Sequence, residues 1–98
     1  MRLIVVEVKE DGIKVTGHAG YAEPGKDIVC AAVSVLTQNL IKCLDTFTDD
    51  LGSCMVEPGE VIIEYKDLSE QGKLLVDSFF IGICQIQEAY GSQYVQVR

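Results

Sequence analysis

The sequence predicts an α+β fold: a small single domain of order β-β-α-β-β-α-β, with a mixed or antiparallel sheet packed against two helices. Three observations carry this. Short β-branched apolar runs are separated by turn-forming residues. Two longer segments carry apolar residues at helical spacing. The chain is 98 residues long, the size of one domain over residues 1–98.

Leu3-Ile4-Val5-Val6-Glu7-Val8 is a strand, and Glu10-Asp11-Gly12 is a turn signal. Ile13-Lys14-Val15-Thr16 reads as the returning strand of a hairpin, and its end delivers Gly17 and His18. A loop follows from Ala19 to Lys26, namely Ala19, Gly20, Tyr21, Ala22, Glu23, Pro24, Gly25 and Lys26. Its glycines give backbone freedom and its proline blocks further pairing. At about eight residues it exceeds the usual short connection, a length associated with function.

Asp27 is a good N-cap residue, and the helix it opens runs from Ile28 to Leu44 or Phe47. At about 100° per residue, Val29, Val33, Leu36, Leu40 and Leu44 form one apolar stripe. Ser34, Gln38, Lys42 and Asp45 form a polar side, and Ile28, Ala32, Val35 and Cys43 a second apolar strip. A helix this apolar is expected to be buried on more than one side, in part against a second copy of the chain.

Asp49-Asp50-Leu51-Gly52 reads as a loop, Cys54 to Glu57 as a strand, Pro58-Gly59 as a tight turn and Val61 to Tyr65 as the returning strand. Ser69 can cap a second helix from about Glu70 to Tyr90, in which Leu75, Phe79, Ile83, Ile86 and Tyr90 keep helical spacing. Gly91-Ser92 breaks it, and Tyr94 to Val97 is a last short strand.

Fifteen acidic and eight basic residues give a net charge of −7. That disfavours nucleic acid, which needs clustered Lys and Arg, and points to a basic partner. There is no signal peptide and no apolar run expected to span a membrane, so the expected compartment is the cytoplasm, where thiols stay reduced. The four cysteines, Cys30, Cys43, Cys54 and Cys84, include no C-x-x-C pair, and His18 is the lone histidine. No metal site and no cofactor is expected from that set.

Cys30 differs from the other cysteines in opening a helix directly after a glycine-rich loop. Cys43 and Cys84 read as buried and inert, and Cys54 as a small hydrophobe within the sheet. A thiol attacks as its thiolate. A first-turn position offers the positive end of the helix dipole and free N–H groups that can also hold an oxyanion. His18 can take the thiol proton. Asp27 either orients His18 or serves only as the cap. Ser34 lines the cleft or faces solvent. Without such chemistry, Cys30 is an ordinary core thiol and His18 an exposed side chain.

The segment Gly17-His18-Ala19 … Gly25-Lys26-Asp27-Ile28-Val29-Cys30-Ala31-Ala32-Val33-Ser34 resembles the ribosomal-processing cysteine proteases of Gram-positive and related bacteria, and the order of elements matches over essentially the whole chain. The resemblance implies a catalytic dyad of His18 and Cys30, with Gly17, Asp27 and Ser34 in support. It implies a homodimer with a mobile loop, Ala19 to Lys26, over the active site. The implied reaction removes a short N-terminal extension from large-subunit ribosomal protein twenty-seven, a basic precursor. The competing reading is a non-enzymatic module that binds a ribosomal protein or an assembly intermediate.

Overall fold

The computed structural model describes residues 2–23 and 25–98; Pro24, which the sequence places in the 19–26 loop, lies outside the described residues. The elements are β1 (Ile4–Lys9), β2 (Gly12–Thr16), α1 (Ile28–Phe47), β3 (Leu51–Glu57), β4 (Glu60–Tyr65), α2 (Glu70–Tyr90) and β5 (Val95–Val97), in the predicted order.

The strands form one sheet in the spatial order β3-β4-β2-β1-β5. Neighbours are antiparallel except β1 and β5, which run parallel, so the sheet is mixed. Register follows the apolar alternation. Val6 lies opposite Val15, Val8 and Ile63 both opposite Ile13, and Ile4 opposite Val95. A one-residue slip would turn these side chains to the other face, so the pattern holds the register.

The core joins Ile4, Val6, Ile13, Val15, Ile63 and Val95 of the sheet to Val29, Val33, Leu40 and Leu44 of α1 and Val76, Phe79 and Ile83 of α2. On α1 the buried stripe includes Thr37 where the spacing led us to expect Leu36, which is half-buried. Thr37 is accommodated because its hydroxyl donates to the Val33 carbonyl at 2.7 Å. Leu36 instead meets α2 at Gly82, where its branch lies so close that an added Cβ would be 2.8 Å from it.

Several expectations change. Leu51 and Gly52 belong to β3 and not to a loop, because pairing with β4 continues through a register shift between Leu51 and Ser53. Within one chain α1 buries one side only: Ile28 is 51% and Val35 68% exposed. Two helices do not cover five strands, and the edge strand β3 is left open. Cys54 is therefore exposed and not part of the core, and Cys43 and Cys84 are half-buried. By length and composition α1 does qualify as a membrane-crossing helix, contrary to expectation. Its packed stripe against the sheet and its polar side account for it as the core helix of a folded domain.

Candidate active site

The hairpin β1–β2 ends at Gly17, whose φ of +91° suits glycine. A Cβ there would run into the Leu3 carbonyl, so the backbone passes β1 at a distance no other residue allows. The Gly17 N–H donates to the Gly59 carbonyl at 2.9 Å, joining the end of β2 to the β3–β4 turn. That turn sits against the imidazole: a Cβ on Gly59 would lie 2.9 Å from His18 Nε2. Pro58 and Gly59 are thus site residues that the sequence presents only as a turn. Nothing local in the sequence marks them; the β2–β4 register is needed.

His18 and Cys30 line one open cleft of about 390 Å³, together with Gly17 and Ser34. Its floor is apolar, from Ile4, Val15, Val33, Val56 and Val61, and Glu57 and Glu60 add acidic residues to the lining. Ser34 is exposed and lines the cleft. The cleft lies between the first turns of α1, which contribute Cys30, Val33, Ser34, Thr37 and Gln38, and the β3–β4 hairpin from Val56 to Val61.

Asp27 does not hold the imidazole. Its Oδ1 accepts the Val29 and Cys30 N–H groups at 3.1 and 3.0 Å, and its Oδ2 accepts the Tyr21 N–H at 2.9 Å. It caps the helix and ties the preceding loop to that cap. Burial pushes its carboxyl up, but the amides of Cys30, Tyr21 and Ala22 outweigh this and hold it below the ordinary carboxylate value.

Two expectations for Cys30 are corrected by this geometry. The first-turn amides expected to stabilise a thiolate and an oxyanion are already engaged by Asp27. The thiol is also pushed up and not down. Burial is the largest cause, the Asp27 charge adds to it, and the Ala19 amide and the Arg2 charge work against it. The donor on the sulfur is the Ala19 N–H, 3.3 Å from Sγ. None of the described residues of the 19–26 loop is among those lining the cleft. Among the described residues no His, Cys, Asp and Glu cluster has the makings of a metal site.

A mixed sheet with both helices on one face, a thiol at a helix start and an imidazole on the same cleft define the class: a small α+β cysteine protease. The family model for cysteine protease Prp matches residues 3–96, and the chain belongs to that family. Among solved structures, the ribosomal processing protease Prp from S. aureus with a covalently linked product peptide superposes with a TM-score of 0.86 at 20% identity, covering 100% of this chain and 98% of that one. The same protease with a substrate peptide gives 0.80 at 19% identity, again over 100% and 98%. SMU.848 from Streptococcus mutans gives 0.76 at 29% identity over 100% and 92%. No curated protein matches the sequence.

Proposed function

We propose that this protease uses His18 and Cys30 as a catalytic dyad to remove the N-terminal extension of large-subunit ribosomal protein twenty-seven, in the cytoplasm and as a homodimer. The observation that carries the dyad is that the lone histidine and one cysteine of four line the same open cleft. His18 takes the proton from Cys30, whose Sγ attacks the scissile carbonyl carbon and forms the tetrahedral adduct. Collapse of the adduct breaks the C–N bond while His18 protonates the leaving amine. Water, deprotonated by His18, then hydrolyses the thioester and returns the thiol. Burial pushes the Cys30 thiol up, which leaves His18 as the cleft group placed to take its proton.

The apolar floor suits an extended segment with apolar side chains beside the scissile bond. The substrate and product peptides held by the S. aureus protease support a peptide in this cleft. The net charge of −7 suits a basic ribosomal precursor. The homodimer is supported by large apolar side chains left exposed on the helices: Ile28, Val35, Phe47, Leu74, Phe80 and Ile81.

The test is incubation with the extended ribosomal protein, read by intact mass. Wild type should release the extension, and Cys30→Ala should fold and release none. Full cleavage by Cys30→Ala would end the dyad. Uncleaved substrate that nevertheless co-purifies with wild type would favour a binding module.

A further inference from the structure

We propose that Tyr21 is a positioning residue for Cys30: its ring, packed edge-on against Tyr90 and Tyr94, fixes the preceding backbone so that the Ala19 amide stays on the cysteine sulfur. The inference rests on Cys30 being the nucleophile.

The chain between His18 and α1 is held at three points in quick succession. Ala19 is 1% exposed, its methyl sunk in the core and its N–H on Sγ at 3.3 Å. Gly20 turns the chain with φ +65°, close against the Arg2 side chain. Tyr21 then packs at 5.4 Å and 80° on Tyr90 and at 5.1 Å and 75° on Tyr94. Edge-on geometry at these distances is the favourable arrangement for aromatic pairs.

The two receiving rings stand on well-anchored backbone. Tyr90 is the last residue of α2. Tyr94 accepts the Ile4 N–H on its carbonyl at 2.9 Å and donates its own N–H to the Gly91 carbonyl at 3.1 Å. The Tyr21 N–H is held in turn by Asp27. The ring therefore links the amide on the sulfur to the C-terminal end of α2 and the entry to β5, elements that otherwise take no part in the site.

Tyr21 is not among the cleft-lining residues, so its role is to position and not to bind. The charged and titratable groups around Cys30 are His18, Glu57 and Glu60 on the cleft, Asp27 at the cap and Arg2 beside Gly20. All of them remain when Tyr21 is replaced. So does most of the burial of the sulfur, which packs against the core of α1 and the sheet. What is lost is the amide donor, which favours the thiolate.

The experiment compares wild type, Tyr21→Ala, Tyr21→Phe and Tyr94→Leu by turnover and by iodoacetamide labelling of Cys30 against pH. Tyr21→Ala and Tyr94→Leu should lower kcat about 2- to 10-fold, the effect of one hydrogen bond. KM should stay within about 2-fold, since the cleft lining is untouched, and the labelling midpoint should move to higher pH. Tyr21→Phe keeps the ring contacts and should behave as wild type. An unchanged or lowered midpoint in both disrupting variants, or a change in KM alone, overturns the inference. Labelling needs no substrate, so it separates this failure from that of the dyad, which Cys30→Ala reports.

Discussion

One carboxylate, that of Asp27, accepts amides from both sides of the site: Tyr21 from the loop and Val29 and Cys30 from the helix. Because these donors hold its pKa below the unfolded value, the native state favours the ionised form. Its contribution to stability is complete above the unfolded carboxyl value of about 3.9 and is lost as pH falls through the lower folded value. Asn caps as well as Asp but does not titrate. The stability gap between wild type and Asp27→Asn, measured by urea unfolding at pH 6 and at pH 3, should therefore narrow in acid; a gap independent of pH would refute the assignment. Gly59 makes a second residue-scale case. Gly59→Ala should cost about 1–2 kcal/mol for the left-handed backbone at φ +78° and should also displace the imidazole at Nε2. Gly25→Ala, at φ +84° with no described atom within 4 Å of its Cβ, should bear the backbone cost with little loss of kcat. Equal kcat losses in the two variants would mean that the turn does not support His18. Residue chemistry was only partly legible in the sequence. The imidazole, the thiol and the Asp27 cap could be read from residue type and local spacing. The Ala19 amide on the sulfur and the turn beneath the ring come from tertiary register, which no local spacing encodes.

At the scale of elements, periodicity and caps carried more information. α2 begins and ends where Ser69 and Gly91 indicate, since a capping hydroxyl and a glycine at positive φ, whose N–H donates to the Gln87 carbonyl, act within one turn. The edge strand β3 was harder to read. Its first residues look like a loop because Asp49 and Asp50 precede them, and only pairing with β4 shows the strand. Asp50 itself has a role in α2: its Oδ2 accepts both the N–H and the hydroxyl of Ser69, at 3.0 and 2.7 Å. The Ser69 hydroxyl oxygen in turn accepts the Gly72 N–H at 3.1 Å. The second helix is thus capped through a relay from the loop that ends α1. Ser69→Ala removes the middle of this relay and should cost about 1–2 kcal/mol. For a domain of this size that is a fall in Tm of roughly 4–16 °C. A Tm within 1 °C of wild type would show that water replaces the relay without loss.

At the scale of the molecule, charge and uncovered surface decide how a substrate arrives. Fifteen acidic side chains face eight basic ones, and among the described residues a single ion pair, Lys73–Glu70, joins two of them at 3.4 Å. Most of the negative charge is therefore unpaired and acts on approaching molecules. Two of the acids, Glu57 and Glu60, sit opposite each other across the hairpin and line the cleft, where like charges repel and a cation would relieve them. A basic full-length precursor feels this whole field, whereas a short neutral peptide that carries only the cleavage site does not. Salt shortens the reach of exposed charges from about 10 Å at 0.1 M to about 3 Å at 1 M. Raising salt over that range should therefore lower kcat/KM for the precursor several-fold, through slower capture, and leave kcat at saturation unchanged. The neutral peptide should be cleaved equally well at both. If precursor and peptide lost activity in parallel, salt would be acting on the enzyme itself and the field would play no part in capture.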